Sequence, residues 1–135
     1  MKCYCIYERK DSGKSAMLRS LTDQMIKAGE IIEICFDGGV DRVVRIRYRG
    51  KVLGITSRGD SKKTLEEDFE KMGECDFYIT AARSKGETRE LIRAKFGDDA
   101  VWQRKWRLEG GDDTSFDAIN RFQAQKIKER LDKIL

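Results

Sequence analysis

The sequence predicts a three-layer α/β fold with a mixed sheet and an antiparallel meander set into it. Two observations carry this. Stretches with apolar residues at three- and four-residue spacings alternate with short apolar runs, the pattern of helices crossing over a partly parallel sheet. In the middle, Asp37-Gly38-Gly39 and Arg49-Gly50 separate three successive strand-like runs at hairpin distance, so that section must fold antiparallel. The 135 residues suit one domain with one core, and residues 1–135 are read as a single unit.

Taken in order, Lys2 to Tyr7 is short and rich in strand formers, and Glu8 to Ser12 is polar without helical period. From Gly13 a helix is predicted, with Met17, Leu18, Leu21, Met25 and Ile26 on one face and Gly29 as a left-handed stop. Ile31 to Phe36, Arg42 to Tyr48 and Lys51 to Thr56 are the meander strands. Thr64 and Glu67 have the spacing of a capping box, opening a helix that carries Leu65, Phe69 and Met72. Cys75 to Ala82 is the most apolar strand. Ser84 and Glu87 repeat the capping spacing ahead of Leu91, Ile92 and Phe96. Ala100 to Leu108 reads as a strand with Trp102 and Trp106 on one face, ended by Gly110-Gly111. A terminal helix then turns Phe116, Ile119, Phe122, Ile127, Leu131 and Ile134 to the core.

Composition narrows the chemistry. Charged and hydrophobic residues each make up 39%, as in a compact domain with a well-solvated surface, and the net charge of +4 favours anionic partners. Without histidine the chain can hold neither a Ser-His-Asp triad nor a histidine proton relay, and without proline it has no rigid Pro-rich linker. Cys3, Cys5 and Cys35 lie in strand-like runs and Cys75 borders one, which suits buried reduced thiols better than a disulfide scaffold or a zinc site. No apolar stretch approaches the roughly 20 residues of a membrane span. A cytoplasmic protein without a membrane partner is expected.

Gly13-Lys14-Ser15 stands where the first strand hands over to a helix. Glycine before the lysine permits a tight turn that aims successive N–H groups at one anion, and the new helix adds its positive end. At these residues the sequence resembles the P-loop NTPase superfamily, departing from its pattern at Glu8, where the family has glycine. The resemblance implies a P-loop NTPase-like domain that binds ATP or GTP with Mg²⁺ through Asp11, Ser12, Gly13, Lys14, Ser15 and Ala16. Lys14 would clamp the phosphates and Ser15 would ligate the metal. A second resemblance spans Val52 to Leu91, through Thr56-Ser57-Arg58-Gly59-Asp60 and Thr80-Ala81-Ala82-Arg83, and is to small P-loop proteins of bacteria and their phages. It implies that both segments face the loop.

The family's metal-holding acid normally ends an apolar strand. Here the first acid after Val52 to Ile55 is Asp60, nominated as the metal carboxylate beside its ordinary role as a helix cap. Asp37 is the alternative, though it suits the turn with Gly38. Arg83 is the cation placed to neutralise a transferring phosphoryl group, so Lys14 and Arg83 are the catalytic candidates of an NTPase or phosphotransferase. Two other readings stay open. One is a non-catalytic interaction module that kept the fold. The other is a nucleic-acid binder using alternate Arg45, Arg47 and Arg49, with Trp102, Arg104 and Trp106 on a later strand, against the ordinary reading of a solvated sheet face and core tryptophans.

Overall fold

The computed structural model describes residues 2–9, 12–39, 41–107 and 113–135, the last range without the side chains of Asp113 and Thr114. The elements are β1 (Lys2–Tyr7), α1 (Lys14–Ala28), β2 (Glu30–Gly38), β3 (Asp41–Tyr48), β4 (Lys51–Thr56), α2 (Lys62–Met72), β5 (Phe77–Ala82), α3 (Glu87–Phe96), β6 (Ala100–Arg104) and α4 (Asp113–Ile134). The strands form one sheet in the order β2-β3-β4-β5-β1-β6. β4, β5, β1 and β6 run parallel, while β2, β3 and β4 pair antiparallel, so the predicted mixed sheet with its meander is present.

Helices cover both faces. Met17, Leu18, Leu21 and Met25 of α1 join Ala124, Ile127 and Leu131 of α4 over Tyr4, Ile6, Val44 and Ile46. Leu65, Phe69 and Met72 of α2 join Ile92 and Phe96 of α3 over Cys3, Cys5 and Tyr78. C-x-C on a strand thus sends both thiols to one buried face, and all four cysteines are free. Burial holds Cys3 well above its usual pKa and pushes Cys5 up to about 12, so neither is a ready nucleophile. No helix among the described residues is long and apolar enough to cross a membrane.

Several local expectations change. Gly29 does end α1, but with extended backbone; a Cβ there would stand 2.6 Å from the Arg47 carbonyl oxygen, so close approach to β3 is what demands glycine. The cap of α2 is Ser61, which accepts from the Thr64 N–H, rather than Thr64 itself. At α3 the N-cap is Gly86 with φ 100°, and Ser84 turns away to donate to Glu8. β6 stops at Arg104 because the Gln123 side chain takes over the backbone there: it donates to Arg104 O (2.9 Å) and accepts from Trp106 N (2.8 Å). Trp106 therefore lies past the strand, and the Gly110-Gly111 break and Leu108 fall outside the described residues.

The inward face of α4 is also rotated from expectation. Phe116, Phe122 and Ile134 are exposed, and the buried positions are Asn120, Gln123, Ala124, Ile127 and Leu131. Packing against α1 selects the small Ala124, which lets the helices approach, over the larger aromatics beside it. The Arg49-Gly50 hairpin is as expected, with both residues at positive φ.

One contact governs the loop after β4. A Cβ on Gly59 would lie 2.1 Å from the Ala81 carbonyl oxygen, so only glycine lets this backbone press against β5. Gly59→Ala should cost at least the upper part of the about 1–3 kcal/mol typical of overpacking, read as a lower midpoint in urea unfolding.

Candidate functional site

The carboxyl ends of the parallel strands β1, β4 and β5 converge on the start of α1, the location where open α/β sheets form their sites. Gly13 is the N-cap of α1 at φ 88° and ψ 15°, left-handed angles that a side chain would strain. Gly13 has no side chain with which to cap this helix, and Lys105 and Asn120 lie beside it. The buried Ser12 hydroxyl has no partner among the described residues, whereas Asp11 lies outside them.

Lys14 opens the helix and is only 5% exposed. Its ammonium donates to the carbonyls of Glu8 (2.9 Å) and Arg9 (2.8 Å) and stands 3.6 Å from Asp60. Burial lowers its pKa; Asp60 and Glu8 act in the opposite direction and Arg83 reinforces the drop. Asp60 is itself 3.7 Å from Arg83 Nε. Lys14, Asp60 and Arg83, nominated separately from three segments, are therefore one ion cluster. Since Ser61 caps α2, Asp60 is released from the capping role. Ser15 reaches the same strand end, its hydroxyl donating to Ser57 O at 3.3 Å.

The loop holding Asp60 is braced from below. Asp68 of α2, fully buried, accepts from Thr56 Oγ1 at 2.8 Å and from the Arg58 guanidinium, and Arg58 lies 4.0 Å over the Phe36 ring. Arg58 N returns a bond to Thr56 Oγ1 at 3.2 Å. On the other side, Arg83 N donates to Thr88 Oγ1 at 3.0 Å and ties the β5 exit to α3. Asp68 carries no assignment from sequence, although a carboxylate among Leu65, Phe69 and Met72 on one helix face is a legible anomaly.

Glu8 is also buried, and its carboxylate turns toward β6 and α3. It accepts from Arg9 N (3.0 Å), Arg104 Nε (3.1 Å) and the Ser84 hydroxyl (3.5 Å). Burial would raise its pKa, but the Arg9 N–H bond and the charges of Arg104 and Arg107 outweigh this and hold it below the ordinary value. The Glu8 carboxylate is thus compensated by local cations.

Ala16, also assigned to the site, lines a groove of about 390 Å³ between α1 and α4, with Arg19, Ser20, Asp23, Asp117, Asn120 and Arg121. Asp37 accepts from Gly39 N at 3.1 Å and lies 3.9 Å from Arg42, which is the turn-forming role. Among the described residues no three His, Cys, Asp or Glu gather closely enough to hold a metal by themselves.

The basic strand face is largely neutralised. Arg45 pairs with Glu33 (3.6 Å), Arg42 with Asp23 (2.8 Å), and Arg49 sits in the hairpin turn and reaches Asp132 on α4. Arg49 therefore does not extend the face of Arg45 and Arg47. Trp102 is covered by Arg89 at 4.5 Å, and Trp106 packs on Phe122. Comparison of the chain with known protein families, curated proteins and solved structures finds no match.

The depressed Glu8 pKa makes a signed prediction. A carboxyl more acidic in the folded state stabilises above its unfolded pKa, and the contribution is lost as pH falls through the folded value. The destabilisation by Glu8→Gln, measured by urea unfolding, should be present near neutral pH and fade below about pH 4.

Proposed function

We propose that this protein binds a nucleoside triphosphate with Mg²⁺ at the start of α1, in the manner of a P-loop protein. The observation that carries the reading is the cluster of buried Lys14 with Asp60 and Arg83 beside the left-handed glycine N-cap of α1. Among the described residues Lys14, Arg83, Arg104, Lys105 and Arg107 outnumber Glu8 and Asp60 in that neighbourhood. A phosphate chain supplies negative charge and acceptors for the helix N–H groups.

Asp60 restrains both cations. A terminal phosphate, bearing more charge than one carboxylate, competes for Lys14 and Arg83 and frees Asp60 and the Ser15 hydroxyl to turn toward a metal. Mg²⁺ arriving with a triphosphate keeps several waters and takes one or two protein oxygens, which this hydroxyl and half-exposed carboxylate can provide. Bound there, the ion would neutralise charge on the phosphates. Gly13 shapes the turn, Ser12 offers its unpartnered hydroxyl, and the groove from Ala16 along α1 and α4 has a volume fit for the nucleoside. If the protein turns over its ligand, the reaction is γ-phosphoryl transfer or hydrolysis with Arg83 steadying the transferring group, work that needs positioning and charge rather than histidine.

ATP at a hundred times its dissociation constant should stabilise the fold by about 2.7 kcal/mol in Mg²⁺, seen as a higher melting temperature. Lys14→Ala should remove that rise; a wild-type melting temperature indifferent to both ATP and GTP sinks the reading. Phosphate release above background in the wild type and absent in Arg83→Ala would make the protein an enzyme, and its absence would leave a binding module.

A further inference from the structure

We propose that Lys105 is a second phosphate-contacting lysine, held beside Gly13 with Asn120, so that the phosphate chain is gripped from α1 and from the end of β6 together. The inference rests on the triphosphate reading above and adds residues that reading does not use.

Lys105 follows β6 directly, its N–H extending the ladder to Tyr7 O at 3.0 Å. The side chain is only 3% exposed, an unusual state for a lysine. Its ammonium has three donors, and among the described residues it donates to the neighbouring Trp106 carbonyl. Burial lowers its pKa and Glu8 is the charge that opposes this, but the Glu8 carboxylate is already occupied by Arg104 and Arg9 N. Among the described residues no carboxylate pairs directly with the Lys105 ammonium, and a buried cation is stabilised by an anion that reaches it.

Its place says which anion. The point where a Gly13 Cβ would stand lies 3.7 Å from Lys105 Cε, 3.7 Å from Asn120 Nδ2 and 3.8 Å from Asn120 Oδ1. Lys105 and Asn120 therefore close over the N-cap of α1, adding a positive charge to the positive end of a helix. Asn120 is 7% exposed, and its Oδ1 is buried without a partner. It is a polar side chain in a position where α4 otherwise packs apolar residues on α1, and it also lines the groove that begins at Ala16. Its amide can donate to a phosphate oxygen while the free carbonyl accepts the Lys105 ammonium as that group leaves Trp106. A Cβ at Gly13 would meet both side chains at ordinary contact distance, so the left-handed φ of 88° rather than space calls for glycine there.

The test uses the full chain and two probes, tripolyphosphate and ATP with Mg²⁺, measured by calorimetric titration. Lys105→Met keeps the aliphatic packing and removes the charge. It should weaken both probes about tenfold or more, the scale of one lost charge-assisted hydrogen bond. Without ligand it should melt at or above the wild-type temperature, because a buried charge is gone. Affinity within twofold of wild type, with Lys14→Ala abolishing binding, overturns the role of Lys105 and leaves the triphosphate reading standing. Wild-type protein that binds neither probe overturns both. If Lys105→Met fails to fold, Asn120→Asp serves: a carboxylate against Lys105 competes with phosphate, so a tenfold loss supports the proposal and unchanged affinity refutes it.

Discussion

The arrangement around α1 depends on burying the Lys14 ammonium. A charge removed from water must recover its hydration from fixed acceptors, and here these are the carbonyls of Glu8 and Arg9 and the carboxylate of Asp60. Those acceptors belong to the chain leaving β1 and the chain leaving β4, elements that are not neighbours in the sheet. The lysine therefore draws two loops to the first turn of a helix, and the positive φ of Gly13 gives the backbone the bend to receive it. The ion pairs themselves are half-exposed at Asp60 and Arg83 and contribute little to stability, about 0–1 kcal/mol each. What they contribute is placement.

Placement of Asp60 in turn relies on contacts beneath it. Gly59 is wedged against β5, and the fully buried Asp68 gathers Thr56 and Arg58. A buried carboxylate is tolerable only when its oxygens are satisfied, and the Arg58 guanidinium with the Thr56 hydroxyl does this. Breaking such a pair leaves an uncompensated charge, so the loop is held by a stiff network. The cost of this rigidity is borne inside α2, away from the solvent-facing cations. On the β6 side the Gln123 amide plays the corresponding part, ending the strand and turning Lys105 inward over Gly13.

The arginines separate into two populations. In the meander Arg42, Arg45 and Arg49 meet acids within their own sheet or on neighbouring helices. Those near the carboxyl end of β1 meet carboxylates that are already shared, as Arg83 shares Asp60 with Lys14. Among the described residues, cations therefore gather at the carboxyl end of β1 around few carboxylates.

Periodicity and turn residues alone determined the α/β class, the order of the strands along the chain and the Arg49-Gly50 hairpin, while Gly13, Lys14, Ser15, Asp60 and Arg83 were nominated through a resemblance in local motifs. These are properties of local spacing: a helical face, an alternating strand and a glycine before a helix are written in adjacent residues. Tertiary structure alone decided that Lys14, Asp60 and Arg83 meet, that Ser61 rather than Asp60 or Thr64 caps α2, and that Glu8 turns to Arg104. It likewise decided which face of α4 is buried, and so which polar residues, Asn120 and Gln123, lie inside. The physical reason is common to all of these. Spacing specifies which residues share a face, but the partner that satisfies a buried charge or amide comes from another element, and only sheet order and helix packing bring the two within a few ångströms.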